Sequence, residues 1–178
     1  MTAVETLSSF DDNDRMALAG LLRDAVENGA SVGYVMPIDE ADISAFWAGI
    51  AKDVVEGSRA LLVVRQSGQI VGTVQVEFAG KPNGHHRAEI QKMLVHSTQR
   101  RKGLGRQLMI AAEACAESRG RSLLVLDTET GSAGQHLYSS LGFIVAGEIP
   151  KFAIGTNGGW TSTTYMYKLL SDPCNANS

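Results

Sequence analysis

The sequence holds only two cysteines, Cys115 and Cys174, and so no disulfide framework. Cys115 falls on the apolar side of a helical pattern and reads as a small core residue, while Cys174 lies in a polar tail. Both fit a reducing compartment. No apolar run approaches the ~20 residues of a membrane span. Residues 1–10 lack the basic-then-apolar order of a signal peptide. The chain is therefore expected to be cytoplasmic, with no membrane partner. It also lacks an excess of positive charge. A net charge of −3 argues against a protein that coats nucleic acid, and no stacked aromatics flank its one basic run. No repeat, low-complexity run or linker divides the chain. Its 178 residues suit one domain, residues 1–178, with a polar tail at 171–178. His85, His86, His96 and His136 show no metal-ligand spacing, so no metal is expected.

With 20% charged and 44% hydrophobic residues, the composition is that of an ordinary globular domain. Residues 4–7 read as a short strand. Residues 13–27 carry Met16, Leu18, Leu21, Leu22, Ala25 and Val26 at helical spacing, and Asn28-Gly29 ends that helix. A second helix is expected over 39–56, with Ile43, Phe46, Trp47, Ile50 and Val54 on one side. Trp47, Phe46 and Tyr34 are expected as core and pocket wall. Residues 59–65 and 69–78 are strands joined at Ser67-Gly68. Lys81-Pro82-Asn83-Gly84 is a turn; residues 81–87 either line a substrate entrance or form a hairpin loop. Residues 88–95 form the next strand. A helix follows over 104–118, with Leu104, Leu108, Ala111 and Cys115 at helical spacing. Residues 123–126 are a buried strand, 132–141 a short helix stopped by Gly142, and 143–145 and 163–169 late strands. The pattern is one mixed sheet with a few helices packed on it.

The segment Arg100-Arg101-Lys102-Gly103-Leu104-Gly105 stands between a strand and a helix start. A helix N-terminus offers unpaired N–H groups and partial positive charge. Glycines let the backbone approach a ligand, and three cations add charge for a small anion. A phosphorylated ligand is expected here. No Gly-Lys-Ser/Thr follows, which excludes Walker A. A third glycine is missing, which excludes a dinucleotide fingerprint.

With its surroundings this segment resembles motif A of the GNAT superfamily of acyl-CoA-dependent N-acetyltransferases, with Arg100, Gly103 and Gly105 at the matching positions. Leu137-Tyr138-x-x-Leu141-Gly142-Phe143 is similar to that family's closing helix and turn. Five further runs resemble its tabtoxin-resistance subgroup, whose members acetylate an amino-acid toxin. They are residues 29–33, 81–84, 87–92, 103–109 and 126–129. The likeness spans roughly residues 29–169. It implies an α+β fold, with a mostly antiparallel sheet of six to seven strands splayed at the cofactor site and about four helices. It implies acetyl-CoA as co-substrate and a small-molecule amine as acceptor. A homodimer through residues 163–169 is a further expectation.

Acetyl transfer to an amine needs loss of an ammonium proton, whose pKa lies near ~10. It also needs a donor for the developing oxyanion and a proton or hydrogen bond for the departing thiolate. The resemblance implies Tyr138 as the acid; the other reading is an aromatic packed at a helix end. Glu89 is a candidate base, or else an exposed strand glutamate paired with Arg87 or Lys92. Plain alternation puts Glu89, Gln91 and Met93 on one face and Ile90, Lys92 and Leu94 on the other, though a bulge would break that parity. Asp127 is read as ending its strand, where it could hold or deprotonate the substrate ammonium, or cap the next turn. Glu129 is a weaker candidate of that kind. Backbone groups of Met93, Leu94 and Val95 are expected to bind the oxyanion and the pantetheine arm. Arg100, Arg101, Lys102, Gly103, Leu104, Gly105 and Arg106 are expected to bind the pyrophosphate. Ser132 would touch the arm or cap a helix. No cysteine lies near these motifs, so direct transfer in a ternary complex is expected. A protein N-terminal or lysine acetyltransferase and a non-catalytic CoA sensor are the alternatives.

Overall fold

The structure, a computed structural model, describes residues 3–170. The expected polar tail at 171–178, with Cys174, lies outside them. Among the described residues, seven strands and four α-helices alternate in the order β1 (Val4–Leu7), α1 (Asp12–Glu27), α2 (Glu40–Glu56), β2 (Arg59–Gln66), β3 (Gln69–Phe78), β4 (Arg87–Val95), α3 (Leu104–Ser118), β5 (Leu123–Glu129), α4 (Ala133–Ser140), β6 (Ile144–Ile154) and β7 (Trp160–Leu169). They form one sheet of order β1-β2-β3-β4-β5-β7-β6. Every neighbouring pair is antiparallel except β4 with β5. The mixed, mostly antiparallel sheet with four helices is the architecture expected.

Both faces of the sheet are covered. Leu62, Val64, Val74, Val76 and Ile90 pack under α3 through Leu104, Leu108, Met109 and Ala112. Leu61, Val63, Ile70 and Leu94 pack under α1 and α2 through Leu18, Leu22, Ile43 and Trp47. Strand β2 is therefore buried on both sides, which is why it reads as a continuous apolar run. Two helical stripes differ in detail from expectation. Met16 is 66% exposed, because it is rotated away from the face made by Leu18, Leu21, Leu22 and Ala25. On α3 the buried line runs through Leu104, Leu108, Ala112 and Ala116, with Ala111 and Cys115 at its half-buried edge.

Three strands also differ. Strand β5 runs to Glu129, three residues past the expected end, so Asp127 lies inside it, paired with Tyr165 of β7. Strand β6 covers eleven residues rather than three. It is a mostly exposed edge strand without apolar alternation, and its register breaks between Ile149 and Ala153, around Pro150, where a residue with no N–H is tolerated. Strand β7 begins at Trp160 rather than 163 and lies inside the sheet, so the edge on that side is β6.

A further departure is in β4. Thr73 faces Leu94, but Gln75 faces Gln91, so β4 holds one extra residue opposite Val74. Lys92 takes φ 46° there. This β-bulge resets the alternation. Leu94 joins the α1/α2 face of the sheet and Met93 joins the α3 face with Ile90, the reverse of plain alternation.

Leu108 is fully buried at the centre of the α3 layer. Leu108→Ala is expected to cost about 2–5 kcal/mol, read as a lower urea midpoint at an unchanged slope. A loss below about 1 kcal/mol would mean that α3 is not packed as described.

Candidate active site

The parallel ladder between β4 and β5 ends at Glu89 and Val125. Beyond it, β5 continues with β7 alone, while the bulge at Lys92 redirects β4. The two strands part, and two cavities occupy the opening. One is a cleft of about 700 Å³ toward α3 and α4. The other is a pocket of about 360 Å³ toward β7 and the loop after α1. They share Ser31, Val32, Met93, Glu129 and Tyr138.

The cleft ends at the N-terminus of α3, which is built unlike the other helix starts. Asp11 caps α1 and Asp39 caps α2, each accepting a backbone N–H at 2.8 Å. Ser132 caps α4 by accepting from Gln135 N at 3.2 Å. The α3 cap position is Gly103, with no side-chain cap and no acid in the first turn. Its φ of 81° suits glycine. The α3 amides are thus left for an anion, with the positive end of the helix behind them. Gly105 has a different reason: a Cβ there would meet Leu137 Cδ2 at 3.1 Å, so glycine lets α3 approach α4.

Of the residues expected to hold the cofactor, all but Lys102 line this cleft. Lys102 Nζ instead donates to Gln99 Oε1 at 2.7 Å. Arg100 Nε donates to Val95 O at 3.3 Å, and Arg106 reaches Ser140 Oγ at 2.8 Å. Ser132 both caps α4 and lines the cleft. The cleft's size, its cations and its open amides suit an elongated ligand ending in a pyrophosphate.

Tyr138 stands where cleft and pocket meet. Its side chain packs on Phe143, and the residue is only 7% exposed. Burial, with a further push from the negative charge of Asp127, raises its phenol to about 12. Glu89 and Asp127 line the pocket beside it. Asp127 Oδ2 accepts from Thr163 Oγ1 at 2.9 Å. Glu89 Oε1 accepts from Gln91 Nε2 at 3.0 Å, rather than pairing with Arg87 or Lys92. That amide also donates to Glu77 Oε2 at 2.9 Å, and Gln91 Oε1 accepts from Arg59 Nη1 at 2.8 Å. The Arg59 side chain is 9% exposed and is neutralised by Glu77 and Asp53. Glu89 is therefore the outer end of a hydrogen-bonded chain anchored on a buried guanidinium.

Residues 57–145 match the family described as Acetyltransferase (GNAT) domain, half of the chain and the part that builds the splay and the α3 turn. The chain belongs to this family. It is a GNAT N-acetyltransferase, and acetyl-CoA is its acetyl donor. It is 28% identical to L-methionine sulfoximine/L-methionine sulfone acetyltransferase of Pseudomonas paraeruginosa, over 90% of this chain and 91% of that one. It is 29% identical to an L-amino acid N-acyltransferase of Escherichia coli K12, over 63% of this chain and 65% of that one. Among solved structures, ribosomal-protein-alanine N-acetyltransferase from Brucella melitensis superposes with TM-score 0.78 at 25% identity, covering 94% of this chain and 99% of that one. An acetyltransferase structure from Salmonella typhimurium with its cofactor acetyl-CoA gives TM-score 0.78 at 22% identity, over 100% and 99% of the chains, a likeness of fold.

Several residues of this GNAT pocket were not expected from the sequence. Lys92, Gln91 and Thr163 line it, as do Ser31 to Gly33 and the β6–β7 residues Phe152, Ala153 and Thr161. The bulge carries Lys92, and no residue pattern announces it. The other segments singled out in the sequence take the following places. Residues 81–86 lie in the β3–β4 connection and Arg87 opens β4, and none of them lines either cavity. Trp47 is core, with Phe46 edge-on between it and Tyr34. His96 caps the short turn after β4, and His136 lies 2.7 Å from Ser132 O. Among the described residues no group of His, Cys, Asp and Glu could hold a metal ion, and no helix is long and apolar enough to cross a membrane.

The Tyr138 phenol gives a signed prediction. Its folded pKa lies above the ordinary 10, so the stability it contributes is full below pH 10 and is lost as pH rises toward 12. Between those limits the wild type is expected to lose more stability than Tyr138→Phe, by on the order of 1 kcal/mol at about pH 11 in urea titrations. Equal losses in the two proteins would place the phenol in a solvated setting.

Proposed function

We propose that this N-acetyltransferase acetylates the amine of a small, amino-acid-like molecule, by direct transfer in a ternary complex. A toxin or antibiotic of that type is the proposed physiological acceptor. The observation that carries this reading is the pocket itself. It is small, polar and charged, it holds Glu89 and Asp127, and it opens onto the cofactor cleft at Tyr138. The names of the relatives, methionine sulfoximine/sulfone acetyltransferase and L-amino acid N-acyltransferase, support the same acceptor class.

When bound, acetyl-CoA supplies the acetyl group as a thioester. Its pyrophosphate would lie on the α3 amides beside Arg100 and Arg101, and its pantetheine arm along Met93 to Val95 and Ser132. The chain's own residues then have distinct tasks. Asp127, steadied by Thr163, and Glu89, steadied by Gln91, face the acceptor ammonium and take its proton, directly or through water. A backbone N–H of β4 near Met93 donates to the oxyanion. Tyr138 keeps its proton at neutral pH and points it toward the departing sulfur. A phenol near 12 is a weaker acid than a thiol of ~8.5, so its service is a hydrogen bond more than a completed proton transfer. No cysteine among the described residues lines either cavity, which supports direct transfer.

The test is acetyl-CoA-dependent thiol release with L-methionine sulfone, L-methionine sulfoximine and an alanine-ended peptide. Turnover of the amino acids and not the peptide is expected, and Tyr138→Phe is expected to lower kcat at least ~10-fold. Turnover of the peptide alone would make the chain a protein acetyltransferase. Turnover of neither, with CoA bound, would overturn the proposed acceptor class.

A further inference from the structure

Lys92 presents a problem of charge. The bulge at its own position turns it into the acceptor pocket. Its ammonium lies over the Phe46 ring, 5.7 Å from the centroid, and close to Gly33. Among the described residues it has neither a hydrogen-bond partner nor a carboxylate within ion-pair distance. Lys168, the other half-buried lysine, makes the contrast plain: its Nζ donates to Glu113 Oε2 and to Leu141 O, both at 2.7 Å. Burying a cation without an anion costs free energy unless a partner arrives. Burial pulls the Lys92 ammonium below its ordinary pKa, the more distant charges of Asp127 and Glu89 pull it back, and Arg59 adds to the lowering. A ring face lends a cation modest support but no full counter-charge.

The same pocket is lined by three carboxylates, Glu89, Asp127 and Glu129, and the charges of the first two reach Lys92 without pairing with it. One cation set among three carboxylates around a small cavity gives a molecule that carries both an ammonium and a carboxylate a partner for each of its charges. A neutral amine would leave the cation unanswered. A peptide N-terminus, whose first carboxyl is tied up as an amide, would do the same.

We propose that Lys92 binds the carboxylate of the acceptor, which places the acceptor's amine toward Asp127 and Glu89 and selects free zwitterionic amino acids over amines and peptide ends. This inference rests on the small-acceptor reading above and names the group that enforces it. Lys92 acts as a specificity-determining residue. The bulge in β4 gains a purpose: it aims a charged side chain into the pocket while its neighbours Met93 and Leu94 keep their places in the two cores.

The test compares L-methionine sulfone with its carboxamide, in wild type, Lys92→Met and Lys92→Arg. Met keeps an unbranched chain over Phe46 and removes the charge. Wild type is expected to prefer the carboxylate at least ~10-fold in kcat/KM, the scale of a charge-assisted hydrogen bond. Lys92→Met is expected to erase that preference through a higher KM for the carboxylate, and Lys92→Arg to retain most of it. A wild type that acetylates both compounds equally well overturns the inference and leaves the small-acceptor reading standing. So does a Lys92→Met protein that keeps the preference or loses both activities in proportion, as a merely structural lysine would. If wild type acetylates neither compound, the small-acceptor reading has failed for this class. Calorimetry of L-methionine sulfone on the CoA-loaded proteins then decides. Binding to wild type at least ~10-fold tighter than to Lys92→Met supports the anion site, while equal affinity or no binding overturns it. Should Lys92→Met not fold, Lys92→Arg and the wild-type preference decide in its place, by the same criteria.

Discussion

A sheet whose two central parallel strands stop pairing partway is left with unsatisfied backbone groups, since buried N–H and C=O groups need partners. Here the pairing of β4 with β5 ends at Glu89 and Val125, and the rest of the site follows from that separation. Strand β5 keeps its line because β7 holds it from the other side as far as Glu129. Strand β4 stays paired with β3 as far as Val95, across the bulge at Lys92 that turns it away from β5. Between them lie the cleft and the pocket, and α4 brings Tyr138 to the junction. The opening needs rigid walls. Those are supplied by the two apolar layers, which fix Leu94 under α1 and α2, and Ile90 and Met93 under α3.

Charge is arranged on the same principle of local exception. The chain as a whole is slightly acidic, and helices α1 and α2 begin with aspartate caps and acidic first turns. Helix α3 begins with glycine, has no acid in its first turn and is preceded by Arg100, Arg101 and Lys102. An anion is thereby drawn to the start of α3 and repelled from those of α1 and α2. In the acceptor pocket the polarity reverses. Carboxylates dominate, and they are held in place from behind. Arg59 is saturated by Asp53, Glu77 and Gln75 while it orders Gln91, and Gln91 orders Glu89. One half of the site is basic and suits a phosphate-bearing donor; the other is lined by carboxylates, which supports the proposed amine acceptor.

What could be read in the sequence was what local chemistry dictates. The Arg100–Gly105 turn and the α3 stripe announce themselves by residue type and spacing, and Tyr138 by the likeness of its helix and turn to those of the GNAT family. The central strands do so by continuous apolar character. What could not be read depends on non-local pairing. Asp127 looks like the end of a strand because residues 127–129 are polar, yet they are polar because β4 has left and a cavity faces them. The facing of Met93, Leu94 and Lys92 depends on one extra residue in β4, which has no signature in composition. Strand β6 is held only by β7 at the sheet edge and is largely exposed, so apolar alternation was never required of it. Lys92 was visible only as a cation near Glu89; its place in the pocket needs the bulge.

The most direct test of the central claim is a crystal structure with acetyl-CoA bound. The account predicts the pyrophosphate on the α3 amides beside Arg100 and Arg101, the arm between β4 and β5, and the sulfur within hydrogen-bond reach of the Tyr138 hydroxyl. A pyrophosphate bound elsewhere, or a sulfur that does not reach the gap between the parted strands, would contradict it.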